Sequence, residues 1–180
     1  MVEVTLHRTQ SESEDQVVRN LFAGYFADMA RYDDNLVINQ YGVPTWKPFG
    51  LPGPTTLAEC ATFNWWIRDK CDLYLIRFGG APAGFAIVLS DRTHLYTGVD
   101  FELMDFFIAP KYRAQGIGTK AARQIFEERR GAWQLFILLK NEPARSFWRK
   151  IVNEYSGGNY RELQEGTEIQ FNNTSFAREK

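Results

Sequence analysis

Apolar residues recur at helical spacing early in the chain. Val17, Val18, Leu21, Phe22, Tyr25, Phe26 and Met29 form one stripe, with Ser13 and Gln16 as a capping box ahead of it. Residues 42–54, rich in Gly and Pro, break the pattern and read as a loop. Thr56 with Glu59 opens a second predicted helix, whose stripe runs Leu57, Cys60, Asn64, Ile67 and Cys71, flanked by Trp65 and Trp66. Two strand-like runs follow, Asp72–Phe78 and Pro82–Leu89, joined by Gly79-Gly80, a strong hairpin signal. Phe101–Ala109 is a further strand, and Gly116–Arg130 an amphipathic helix with Ile117, Ala121, Ala122, Ile125 and Phe126 on one face. Trp133–Leu139 reads as a buried strand. Pro143 stands where a first helical turn tolerates it, before Phe147, Trp148, Ile151, Val152 and Tyr155, and Gly157-Gly158 stops that helix. Asn159–Leu163 and Glu168–Asn172 are two final strands, ahead of a polar tail from residue 172. With Val2–His7 as the first strand the order is βααβββαβαββ. Hairpin-joined strands plus two crossover helices imply a mixed sheet covered by helices, an α/β (α+β) fold in one domain spanning residues 1–180.

Composition narrows the function classes. A chain of 180 residues, 44% hydrophobic and 15% aromatic, buries a full core, which excludes disorder over most of its length. The longest apolar stretch, Trp133–Leu139 with Gln134 inside it, is far short of the roughly 20 residues that span a bilayer, so no membrane partner is expected. The start, MVEVTLHRTQSESED, lacks a basic-then-apolar pattern and predicts a cytoplasmic protein. Cys60 and Cys71 cannot build a disulfide framework, and with only His7 and His94 beside them no metal-ligand spacing appears. The net charge of −1 suggests no nucleic-acid partner. It hides an asymmetry: residues 111–150 carry ten basic against three acidic residues, and the remainder is correspondingly acidic. That segment either sits near negative charge or is a solvated basic helix face.

The informative stretch is ELMDFFIAPKYRAQGIGTKAARQIFEERR. A strand ends near Pro110, the chain turns through Lys111–Gln115, and Gly116-Ile117-Gly118 opens a helix. Glycines let backbone N–H groups approach an anion, and the helix amino terminus adds partial positive charge. Lys111, Arg113 and Lys120 bracket the turn, which predicts phosphate binding. Gly116-x-Gly118-x-x-Ala121 also fits a dinucleotide fingerprint, with Glu142 near the distance of a ribose contact. That fingerprint needs its first Gly at the strand end and more parallel strands to follow, and this chain supplies neither.

Arg113-Ala114-Gln115-Gly116-Ile117-Gly118 resembles the Arg/Gln-x-x-Gly-x-Gly/Ala signature of the GNAT superfamily of acyl-CoA N-acyltransferases. The strand ending in Ile108-Ala109-Pro110, the Trp133–Leu139 strand, the Asn141-x-x-Ala144-x-x-Phe147-Trp148 helix and the order of elements agree over about residues 72–163. The resemblance implies a mainly antiparallel sheet of about seven strands flanked by about four helices. It implies acetyl-CoA as co-substrate, with the diphosphate cradled by the amides of Arg113, Ala114, Gln115, Gly116, Ile117, Gly118 and Thr119. The pantetheine arm would then pair along Phe106, Phe107 and Ile108 as an added strand. Asn141 matches an asparagine near the cofactor arm, and its position equally suits a helix cap. Trp148 stands where members often carry a tyrosine that protonates the departing thiolate. Indole cannot do that, although it can pack beside the arm.

The implied chemistry is amine attack on a thioester, which needs a proton acceptor and an oxyanion donor. The Phe106 N–H matches the donor, and Glu102, eleven residues before Arg113, matches the general base. Strand alternation puts Glu102 on one face with Met104, Phe106 and Ile108, and Asp105 opposite in a structural role. A solvated strand-end acid is the other reading of Glu102. Asp100 could help attract a cationic acceptor. The acidic remainder predicts an acidic surface around the acceptor, suited to a small-molecule or peptide amine, with Trp46, Trp65 and Trp66 either lining the site or simply packed. An N-acetyltransferase is the reading, with a catalytically silent acyl-CoA-binding module as the alternative. Monomer and homodimer both stay open.

Overall fold

A computed structural model describes residues 3–47, 53–63 and 70–174. The chain runs β1 (Val4–Arg8), α1 (Glu12–Met29), β2 (Leu36–Ile38), β3 (Pro44–Trp46), α2 (Leu57–Phe63), β4 (Cys71–Phe78), β5 (Ala81–Leu89) and β6 (Phe101–Ile108). It continues through α3 (Ile117–Glu128), β7 (Ala132–Phe136), α4 (Glu142–Ser156), β8 (Tyr160–Leu163) and β9 (Glu168–Asn172). Seven strands form one sheet in the order β1-β4-β5-β6-β7-β9-β8, antiparallel except for β6 beside β7. Alternation along the central strands builds two cores. Phe22 and Phe26 of α1 pack on Leu73, Phe85 and Phe107 at one face, while Ile125, Phe126, Trp148 and Ile151 of α3 and α4 pack on Tyr74, Val88 and Trp133 at the other. This is the mixed sheet covered by helices that the pattern predicts, with the mainly antiparallel pairing and four helices that the resemblance implies.

Four details differ from that reading. The Gly/Pro-rich stretch is not all loop, because β2 and β3 pair as a small antiparallel hairpin. Its turn is held by the Asn39 carboxamide, which accepts from the N–H groups of Tyr41 and Val43. Cys71 opens β4 instead of closing a helical stripe, and β7 stops at Phe136. The predicted contributions of Trp65 and Trp66 lie outside the described residues. Finally, the polar tail does not begin at residue 172: Asn172 ends β9 and Asn173 is fully buried.

Asn173 staples the turn between α3 and β7. Its amide nitrogen donates to the carbonyls of Phe126 and Arg129, and its oxygen accepts from the Gly131 N–H. Replacement by Ala strands these buried groups, each costing about 1–3 kcal/mol when unmade. Asn173→Ala is therefore expected to lower Tm by about 10 °C, at about 2–4 °C per kcal/mol for a chain of this size. A shift below about 2 °C in calorimetry would contradict the staple.

Two irregularities of β6 position everything that follows. The first is a bulge: Ile87 faces Asp105 but Val88 faces Leu103, so Met104 is an extra residue. The bulge reverses the alternation expected for this strand. Glu102, Asp105 and Phe107 sit opposite Leu89, Ile87 and Phe85, all of which belong to the α1-side core. Glu102 therefore shares a face with Asp105, not with Phe106 and Ile108. The second irregularity is a splay. β6 pairs with β7 only at Phe101–Leu103, against Trp133–Leu135, and the two strands then part. The Ala109 N–H donates to Ala83 on β5, so the N–H and C=O of Ile108 and Phe106 point the other way, into the gap. A Cβ on Gly84 would lie 2.0 Å from the Phe107 carbonyl oxygen, so only glycine lets β5 approach β6 here.

Candidate active site

The gap between β6 and β7 holds two cavities that meet. The first, about 400 Å³, lies at the glycine turn. Pro110–Tyr112 form a 3-10 turn after β6, and the chain then passes through Ala114 (φ 59°) and Gly116 (φ 75°), both left-handed. Gly116 caps α3 with no side-chain hydrogen bond. The N–H groups of the first helical turn, which have no intrahelical acceptor, are therefore left for another partner. Of the sequence-predicted cofactor contacts, Phe106, Phe107, Ile108, Arg113, Ala114, Gly116, Ile117, Gly118, Thr119, Asn141 and Trp148 all line this cavity. Gln115 lies outside the lining, its amide donating to the Lys111 carbonyl. Arg113 is tied down on both sides. Its Nε donates to the Ile108 carbonyl at 2.8 Å and a terminal nitrogen pairs with Asp28 of α1 at 2.6 Å.

The second cavity, about 390 Å³, lies under α1 and the small hairpin. Met29, Phe106, Asn141, Ala144 and Trp148 line both, so they mark the junction. Asn141 is buried and caps α4, its side chain accepting from the Ala144 N–H at 3.1 Å. The Trp148 ring stands edge-on to Phe106, 5.0 Å between centroids. Tyr155 and Tyr160 do not line either cavity; the former bonds Arg130 and Asn173, the latter Glu162.

Two acids stand on the α1-side face of β6, and only one reaches the second cavity. Asp105 lines it and accepts a 2.5 Å hydrogen bond from the Tyr25 hydroxyl. Burial, reinforced by the nearby Glu102 charge, pushes the Asp105 carboxyl up to about 6, against the opposing pull of the Tyr25 hydrogen bond. Burial and the Asp105 charge push the Tyr25 phenol well above its usual range. Glu102 lies where β6 and β7 are still paired, accepting from Gln134 at 2.7 Å, and is absent from the cavity lining. Burial also raises it, with Glu168 adding to the effect and the Gln134 hydrogen bond opposing it. Strand alternation puts Asp105 on the far face, which the structure corrects; Tyr25 packs on the α1-side core as its stripe predicts, and its hydroxyl meets Asp105 there. The one signal for Tyr25 in the sequence is its hydroxyl, which must find a partner inside an apolar stripe.

The charge asymmetry has a structural use. Cations of the basic segment pair with acids from elsewhere: Arg129 with Asp72, Arg149 with Glu162, Arg123 with Glu154 and Lys140 with Asp34. Asp100 binds Arg92 and the Ala132 N–H at the closed end of the splay, away from both cavities. The expected acidic acceptor surface is not what surrounds the second cavity. Asp105 is the lone carboxylate among its described lining residues, and Trp46, 38% exposed, stands in its wall.

The model of the acetyltransferase (GNAT) family matches residues 44–152. An acetyltransferase from Thermus thermophilus superposes with a TM-score of 0.56 at 16% identity, covering 95% of this chain and 97% of that one. An N-acetyltransferase from Staphylococcus aureus gives 0.56 at 14% identity over 90% and 86%. A GNAT family acetyltransferase from Elizabethkingia anophelis, solved with acetyl-CoA bound, gives 0.53 at 10% identity over 94% and 97%. No curated protein matches the sequence. Among the described residues no cluster of ligands for a metal ion occurs, and no helix is long and apolar enough to cross a membrane.

Proposed function

The chain belongs to the acetyltransferase (GNAT) family, and on that premise we propose that it is an N-acetyltransferase that moves an acetyl group from acetyl-CoA to a primary amine by direct attack. One observation carries the reading: a splayed strand edge with an amide-lined glycine turn at one end and a carboxylate-bearing cavity at the other. The residues present fit the co-substrate. Gly116 is left-handed with open space where a Cβ would stand, and a Cβ on Gly118 would meet Ile108 and Phe147 at 3.4 Å. When bound, acetyl-CoA supplies an activated acetyl thioester. The uncapped amides of α3 would hold the diphosphate, and the gap-facing Phe106 C=O and Ile108 N–H would pair with the amide-bearing arm, the Ile108 carbonyl already accepting from Arg113. The Phe106 N–H stabilises negative charge developing on the thioester oxygen. Trp148 and Asn141 wall the junction of the two cavities.

Asp105 accepts the amine's proton, a choice supported by its place in the cavity wall. Glu102, the acid expected from spacing, acts through its field, which raises Asp105. The sign of the pH dependence follows. Only ionised Asp105 accepts a proton, so kcat/KM for the amine rises with pH through about 6 and then levels. Glu102→Gln keeps an acceptor for Gln134 and removes the neighbouring charge. The acid limb then moves to lower pH with the plateau retained within about threefold. Loss of the plateau in Glu102→Gln would instead make Glu102 the base.

Thiol release tests the reading as a whole. Coenzyme A liberated only when an amine is present is the expected result. Saturable acetyl-CoA binding with no release across a broad panel of amines would favour the silent binding module, for which the tryptophan at position 148 speaks.

A further inference from the structure

Resting on the acetyl-transfer reading, we infer that the acceptor is a small primary amine bearing one positive charge and an apolar aryl or alkyl substituent. The wall of the second cavity decides it. Phe22 and Phe26 of α1, the Trp46 ring of the hairpin and Leu135 and Phe136 of β7 make the wall mainly apolar, with Tyr25 and Asn141 as the uncharged polar groups beside them. Against them stands one carboxylate, Asp105. The Tyr25 hydroxyl occupies one of its oxygens, and the other makes no hydrogen bond among the described residues. A monocation needs one counter-charge, and the aromatic faces around it add favourable cation–π contact. The volume of about 390 Å³ falls in the range of small-molecule sites.

The other amine classes meet the wrong wall. A polyamine would press its second and third ammonium groups against Leu, Phe and Trp side chains with no counter-charge. An amino sugar would leave hydroxyl groups unpaired in the same surroundings. A lysine of a peptide would press its polar main chain against a rim where Trp46 and Phe136, 38% and 41% exposed, present apolar rings.

The transfer balances on these residues. The ammonium gives one proton to Asp105, and the freed nitrogen lone pair attacks the thioester carbonyl carbon. The C–N bond forms, the C–S bond breaks, and sulfur leaves with the bonding pair as thiolate. The nitrogen's second proton passes to water in the open cavity, Asp105 later returns its own to water, and a neutral amide remains.

The test is thiol release by the full chain with 2-phenylethylamine, n-hexylamine, spermidine, glucosamine and a lysine-containing peptide. The inference predicts kcat/KM for the first two at least about 100-fold above the other three. Trp46→Ala is expected to lower kcat/KM for 2-phenylethylamine about 10-fold, mainly through a raised KM. Spermidine, glucosamine or the peptide as the best acceptor would overturn the inference. Two binding measurements separate it from the reading beneath it. If acetyl-CoA binds in calorimetry but no amine releases thiol, acetyl transfer fails. In that case saturable quenching of tryptophan fluorescence by 2-phenylethylamine, weakened at least 10-fold in Asp105→Asn, still supports the amine class, and its absence overturns it.

Discussion

Asp105→Asn is expected to lower kcat at pH 8 by about 10³-fold, within the range that a positioned general base contributes. It is also expected to raise Tm at that pH by a few degrees. The two effects have one cause. Asn presents an oxygen to the Tyr25 hydroxyl, so the 2.5 Å hydrogen bond keeps its acceptor. It has no ionisable group, so nothing takes the amine's proton. The native carboxyl, raised from 3.8 to about 6, holds its proton more tightly in the folded than in the unfolded chain. Stability therefore falls as pH rises from about 4 to about 6, and above that the ionised group costs the fold a fixed amount. Because the cavity opens the carboxyl to water, that amount is about 1–2 kcal/mol, less than the shift would give in a sealed core. Removing it stabilises the protein at pH 8 and has no such effect at pH 4. Rates from thiol release and Tm from calorimetry at both pH values check the pair. A variant that loses stability along with activity would make Asp105 a structural acid.

Gly116→Asp is expected to weaken acetyl-CoA binding at least about 100-fold, near 3 kcal/mol, with little change in Tm. The backbone there is left-handed (φ 75°), a conformation that Asp tolerates better than most residues. A Cβ meets no atom within 4 Å, so the fold accommodates the side chain. The new carboxylate stands beside the uncapped amides of α3 and competes with the diphosphate by charge and by volume. Gly116→Ala separates the contributions, since it adds backbone strain of about 1 kcal/mol and no charge. Calorimetric titration with acetyl-CoA reads both variants. Wild-type affinity in Gly116→Asp would move the diphosphate away from this turn.

Both predictions depend on features that differ in how plainly the chain displays them. The helices α3 and α4 are legible because their apolar stripes recur at 3.6-residue spacing and are bounded by Gly116 and Gly157-Gly158. The β4–β5 hairpin is legible because both glycines take positive φ (58° and 79°). The glycine turn is legible because its chemistry is local, carried by adjacent backbone amides. The bulge at Met104 is not. An extra residue leaves the composition of β6 unchanged while exchanging the faces of every side chain on one side of it, so alternation carries Glu102 inward with Phe106 and turns Asp105 away. The strands β2 and β3, three residues each, are too short for periodicity to register, and Pro44 argues against a strand. The Tyr25–Asp105 contact joins residues 80 positions apart, and nothing in either neighbourhood announces the other. Net charge misleads for the same reason, since the acids opposing the basic segment are spent on ion pairs spread over the molecule.

The most direct measurement is a crystal structure of the protein grown with acetyl-CoA and 2-phenylethylamine on the Asp105→Asn background, where turnover is slow enough to trap both. The account predicts the diphosphate on the amides between Arg113 and Thr119, the arm lying between β6 and β7, and the amine nitrogen beside residue 105. A thioester bound outside that gap, or a gap closed by the protein's own side chains, would contradict it.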